Sequence, residues 1–115
     1  MLMGQGLQKQ VWVFMQWIDM RKSYDGLYGL IKTFHSNPLS GDLFLFISKD
    51  RKKAKAMYWD GNGLVILMKR LEQGRFADVL ARGTMSMSEV GLFFEGAGCV
   101  RQRLSPVDHT HRYVA

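Results

Sequence analysis

Four carboxylates are the candidates for metal-dependent chemistry in this chain of 115 residues: Asp19, Asp25, Asp60 and Glu72. Two-metal phosphodiester cleavage needs such groups to converge within a few ångströms on one pair of ions. Two of the four have simpler occupations. Asp19 precedes a run of helical spacing, where a carboxylate caps free N–H groups. Asp60 opens the turn Asp60-Gly61-Asn62-Gly63. His109 and His111 have no third ligand nearby. His35 stands at a helix end, where it can bond the last carbonyls. Cys99 has no helix N-terminus or base beside it in sequence and no second Cys to pair with. No glycine-rich phosphate loop, Ser-His-Asp set or cysteine nucleophile can be assembled. The expectation is a protein that is not an enzyme, with no catalytic residue, no metal and no cofactor.

Cations offer a different chemistry. Lys49-Asp50-Arg51-Lys52-Lys53-Ala54-Lys55 is the densest basic segment, and Lys69-Arg70-Leu71-Glu72-Gln73-Gly74-Arg75-Phe76 is the second. Projected from a turn and its flanking strands, Arg51, Lys52, Lys53, Lys55, Lys69, Arg70 and Arg75 form a candidate DNA-binding set, because ammonium and guanidinium groups replace condensed counterions at phosphates. The competing reading is that turns are commonly charged and that lysines blunt exposed strand edges. On a strand Lys69 and Arg70 face opposite sides, so only one of them extends a single basic surface. An aromatic among cations can stack on an unpaired base, but of the neighbours Tyr58 and Trp59 at least one belongs in the core. Arg21 and Lys22, in the first turn of a helix, oppose its dipole. Arg21 can relieve this by pairing with Asp25, worth about 0.2–0.5 kcal/mol, or the two cations can meet a phosphate or an acidic partner.

The elements that must position these groups follow from periodicity. Val11 to Met15 is rich in β-branched and aromatic residues and reads as a strand. Met20, Tyr24, Leu27, Ile31 and Phe34 step by four and three, the spacing of one helix face, and Asn37-Pro38 ends that helix. Gly26 and Gly29 weaken it, so it depends on packing. Leu43 to Ile47 is a continuous apolar strand; strands from Ala54 to Trp59 and from Leu64 to about Leu71 flank Asp60-Gly61-Asn62-Gly63 as an antiparallel hairpin. Ser86 with Glu89 is a capping-box pattern opening a last helix, which Gly96 and Gly98 end.

The totals agree with one globular domain. Hydrophobic residues make up 47% and charged residues 23%, with seven Phe, four Tyr and three Trp for a core. Sixteen Lys and Arg against ten Asp and Glu give +6 and a pI near 9.7, which favours an anionic partner or simply keeps a small domain soluble. No signal peptide or membrane span is read, and the expected setting is cytoplasmic.

Taken together, IDMRKSYDGL, PLSGDLFLF, the basic turn, YWDGNGL and MKRLEQGRF resemble the TnpB proteins of insertion-sequence-66 transposons, in the same order over roughly Val11 to Gly96. This chain departs at Ala77-Asp78-Val79-Leu80, where a Trp-Pro is common, and at Ser48-Lys49-Asp50, where arginines are usual. The resemblance implies a bacterial accessory protein of transposition, encoded beside a larger transposase that carries the strand-cutting chemistry. It brings no catalytic residue. Asp19, Arg21, Lys22, Asp25, Trp59, Asp60 and Glu72 carry over as motif positions without a role. Expected partners are DNA at the transposon ends, with the transposase and the second accessory protein of the element as alternatives, and no membrane. The expected fold is a single α+β domain over residues 11–98: an antiparallel sheet of about four strands, an N-proximal helix and a C-terminal helix. A polar lead (1–10) precedes it, and a mobile basic tail (99–115) follows.

Overall fold

A run with no polar position, Leu43-Phe44-Leu45-Phe46-Ile47, cannot form a strand with one wet face, so it demands cover on both sides. The structure, a computed structural model, describes residues 9–34 and 36–96. The readings placed on residues 1–8, His35, Gly98, Cys99 and the tail to Ala115 lie outside these described residues.

Strand β1 (Val11–Val13) leads through an irregular segment to helix α1 (Tyr24–Thr33). Strands β2 (Leu43–Ile47), β3 (Lys53–Trp59) and β4 (Leu64–Arg70) follow, then a 3-10 turn (Leu80–Arg82), strand β5 (Thr84–Met85) and helix α2 (Met87–Phe94). They form one sheet in the order β4-β3-β2-β1-β5. Strands β2, β3 and β4 are a meander, with Phe44 opposite Met57 and Lys53 opposite Arg70. Strand β1 lies parallel to β2, because α1 carries the chain back across the sheet before β2 begins. Strand β5 pairs antiparallel with the other side of β1. The α+β class and the hairpin match the sequence reading. The sheet has five strands, one pair of them parallel, because two residues at Thr84–Met85 are too few to leave a periodic signal.

Both faces of β2 are covered. On one face Leu43, Leu45, Ile47, Ala54, Ala56 and Tyr58 lie under Val90 and Phe93 of α2 and under Leu71, Phe76, Ala77 and Val79 of the connection after β4. The rings of Phe76 and Phe93 stack with centroids 4.6 Å apart. Ala77 and Val79, at the point of departure from the family pattern, are thus core residues. On the other face Phe44, Phe46 and Met57 lie under Leu27 and Ile31 of α1 and under Ile18. Each such fully buried side chain contributes about 1.5–3 kcal/mol. Tyr58 is the core member of the Tyr-Trp pair and Trp59 is half-buried.

Helix α1 starts at Tyr24, later than the apolar spacing from Met20 implies, and this corrects two readings. Asp19 does not cap it: the N-cap is Ser23, with no side-chain bond. Arg21 pairs with Asp19 and not with Asp25, its Nη2 lying 2.6 Å from Asp19 Oδ2. The backbone around Met20 is held out of the helix by a side chain from β3, described below. Leu27 and Ile31 are buried, whereas Tyr24 and Phe34 of the same series are exposed.

The hairpin and the second capping signal form as read. Asp60 Oδ1 accepts the N–H groups of Asn62 and Gly63, both at 3.1 Å, and Gly61 takes φ +115°, which a side chain would strain. Ser86 Oγ accepts from Glu89 N–H at 3.0 Å, and Ser86 N–H donates to Glu89 Oε1 at 3.0 Å. The Ser86 N–H, and next the Arg82 guanidinium, hold the Glu89 carboxyl below its ordinary range. Among the described residues no helix is long and apolar enough to cross a membrane.

Ser86→Ala should lower unfolding stability by about 1 kcal/mol in a denaturant titration. Because the Glu89 pKa is depressed by folding, its contribution is complete above the ordinary carboxylate range and is lost as pH falls below about 4. Glu89→Gln should therefore melt lower than wild type at neutral pH and converge with it in acid; a constant difference across pH would contradict this.

Candidate nucleic-acid interface

The basic segment after β2 is a turn built from its own polar side chains. Ser48 Oγ donates to Asp50 Oδ1 at 2.7 Å, and that same carboxylate oxygen accepts Lys52 N–H at 3.0 Å. Ser48 Oγ also accepts Lys53 N–H at 3.0 Å. The Lys52 N–H, followed by the Ser48 hydroxyl, pulls the Asp50 pKa down, so the turn is tied by a carboxylate that stays ionised. Ser48 and Asp50, which break the expected arginine pattern, are thus the turn's own fastening. Arg51 sits at φ +59°, and Lys49 and Lys52 point to solvent.

The second basic motif is drawn to the same place. Leu71 N–H donates to Lys52 O at 2.7 Å, and Phe76 N–H to Arg51 O at 2.6 Å. Buried Leu71 and Phe76 anchor this connection, and between them Glu72, Gln73, Gly74 and Arg75 stay exposed. Lys53 lies opposite Arg70 in the sheet. Arg51, Lys52, Lys53, Arg70 and Arg75 therefore gather at one end of the sheet from two separate stretches of sequence. Arg70 also meets Glu72 in an exposed ion pair, Nε to Oε2 at 2.9 Å, of the kind that contributes little.

Two other lysines of the candidate set serve the fold. Lys55 is 7% exposed, and its Nζ donates to Met20 O at 2.8 Å and Lys22 O at 2.6 Å. A buried ammonium must be hydrogen-bonded, and here it pins the segment before α1 to the middle of the sheet. Lys69 Nζ donates to Phe94 O at 2.6 Å, placing a cation at the carbonyl end of α2, where the helix dipole favours it. The Lys55 clamp also seats Asp19 and Arg21 beside the basic turn, where they border a cleft with Trp17, Lys49 and Lys53. Lys22 is exposed in the same segment. Asp25 is exposed in the first turn of α1.

Trp59 and Asp60 lie at the opposite end of β3 from Lys53, roughly 20 Å away at about 3.3 Å per residue. Asp19, Asp60 and Glu72 accordingly do not converge as a two-metal site would require. Among the described residues no three His, Cys, Asp or Glu side chains are grouped to hold a metal. Sequence reasoning missed Trp17, whose ring carries the Lys49 ammonium 5.3 Å from its centroid. The available signal was a tryptophan between β1 and α1, outside any apolar period.

Residues 9–103 match the model of the IS66 Orf2-like protein family. The chain belongs to the IS66 Orf2-like family. It is 30% identical over 110 residues to the uncharacterised protein y4jC of Sinorhizobium fredii, covering 92% of this chain and 94% of that protein. It is 31% identical over 83 residues to y4hO of the same organism, covering 71% of this chain and 72% of the relative. No solved structure matches the chain at a significant level. This IS66 Orf2-like chain is thus an accessory protein of an IS66 element, of a family generally regarded as non-catalytic.

Lys55→Met keeps the bulk of the side chain but leaves the Met20 and Lys22 carbonyls without their donor. The expected loss is about 1–3 kcal/mol of stability, the cost of unsatisfied buried groups. Hydrogen exchange should localise it to residues 19–24. Unchanged stability would mean that the clamp is replaceable by water.

Proposed function

We propose that this IS66 Orf2-like protein binds DNA of its element through the basic end of the sheet, without cutting it, and so helps the separate transposase assemble there. The observation that carries this reading is the convergence of Arg51, Lys52, Lys53, Arg70 and Arg75 through the backbone bonds that join residues 71 and 76 to the basic turn. Folding spends the ammonium groups of Lys55 and Lys69 internally, yet leaves these five at one surface, with exposed Lys49 adjoining them. The net charge of +6 adds a long-range attraction for phosphate.

A second reading has its own support. Trp12, Met15 and Phe34 are exposed together around a groove of about 320 Å³ whose floor includes Val13, Ile31 and Phe44. Apolar surface of this kind favours a protein partner, the transposase or the other accessory protein of the element. The two readings occupy different surfaces.

Fluorescent duplexes carrying transposon ends or scrambled sequence, titrated across a salt series, separate them. Binding should weaken steeply with salt, and Lys52→Glu with Lys53→Glu should reduce affinity on all sequences and flatten the salt slope by about one unit per lost phosphate contact. Unaltered affinity and slope in that variant would reject the basic end as the interface. Copurification of the transposase that survives nuclease and high salt, and is lost in Phe34→Ser, would instead support the groove.

A further inference from the structure

Beside the basic turn lies a cleft of about 850 Å³ in which an aromatic ring and ammonium groups stand together. Trp17 forms one wall with half of its side chain exposed, and Ile18, Met20 and Met68 supply further apolar lining. Lys49 and Lys53 border it, as does Arg21. The two carboxylates there are already engaged: Asp19 by the Arg21 guanidinium and Arg21 N–H, Asp50 by the Ser48 hydroxyl and Lys52 N–H. Lys49, whose ammonium is held over the indole, and Lys53 have no ion pair to a carboxylate among the described residues.

We infer that this cleft is a stacking site for one unpaired base of DNA, which displaces the Lys49 ammonium from the Trp17 ring, so that Trp17 is the platform and Lys49 and Lys53 hold the phosphates on either side of it. The inference rests on the DNA-binding reading above and adds the state of the DNA: single-stranded or frayed where it meets Trp17. A flat π surface accepts any base, and flanking cations track the backbone. The composition of the wall separates this cleft from the Trp12–Met15–Phe34 groove, which offers aromatic surface without cations. An apolar protein partner would fit that groove; a polyanion with flat apolar faces fits this one.

The platform is also held in place. Ile18 N–H donates to Ile47 O at 2.9 Å, tying the residue after Trp17 to the end of β2. The Lys55 bonds to Met20 and Lys22 fix the chain on the other side. A ring carried on a backbone secured in this way loses little freedom when a base stacks on it.

The test uses the full chain with a labelled oligothymidylate strand and a labelled duplex of the same length, measured by fluorescence anisotropy. Trp17→Ala should weaken single-strand binding about tenfold, within the range for one base on one aromatic ring, and weaken binding of the fully paired duplex much less. Trp17→Leu, which keeps apolar bulk without a π face, should behave the same and decides the matter if the alanine variant melts early. In a Trp12→Phe, Trp59→Phe background Trp17 is the sole indole, and its emission should be quenched by the single strand. Wild-type affinity for the single strand in both Trp17 variants, with unquenched emission, would overturn the inference while duplex binding left the basic-end reading standing. Failure of the wild-type chain to bind either DNA would remove both.

Discussion

The fold depends on one constraint, that β2 is apolar at every position and lies in the middle of a sheet. A strand of this kind has no face to give to water, so the chain must supply a layer on each side. It does so with unlike materials. One side receives α1, a helix weakened by Gly26 and Gly29 and retained by the burial of Leu27 and Ile31. The other receives α2 together with an irregular segment in which Leu71, Phe76, Ala77 and Val79 do what a second helix would do elsewhere. That irregular segment, needed for the core, is also what brings Arg75 beside the basic turn. Core and surface are coupled through the same few residues.

The cations divide by where the fold can use them. Lys55 and Lys69 occupy neighbouring strands but point to opposite faces, and each ends on main-chain carbonyls that would otherwise lack a donor from their own element. Arg21, Arg70 and Arg82 are paired with Asp19, Glu72 and Glu89. Arg51 and Lys52 ride on a turn fastened from inside by Ser48 and Asp50, and Lys53 opens β3; Lys52 is exposed while Arg51 and Lys53 are half-buried. A basic cluster counted in sequence is therefore a mixture of structural and presented charges, and the proportion is set by strand alternation and by which carbonyls need a donor.

Local signals were legible in the sequence where local geometry decides the outcome. The Asp60-Gly61-Asn62-Gly63 turn and the Ser86–Glu89 capping box are each determined by contacts within a few residues, and β2 shows as an unbroken apolar run. The order and class of the main elements and the family followed from these motifs together. The start of α1 was misplaced because a 3–4 apolar spacing continues through Met20, and the side chain that interrupts it comes from Lys55, far along the chain. Strand β5 left no trace because its two residues form a strand only by pairing with β1. The same limit applies to the interface: the sequence showed two basic motifs, but not that main-chain bonds at Leu71 and Phe76 bring them together, nor that Trp17 stands beside them.

Strand β1 lies between β2 on one side and β5 on the other, so its two partners come from the middle and the far end of the described chain. Contacts between such distant residues make a fold slow to form, since a long loop must be closed before the contacts that reward it exist. During synthesis the β2–β3–β4 meander can pair as soon as it emerges, but β1 keeps an unpaired edge until Thr84 and Met85 have left the ribosome. A nascent chain stalled before that point would expose β1 as a sheet edge in place of the two-residue β5, and unpaired strand edges are prone to join a neighbour.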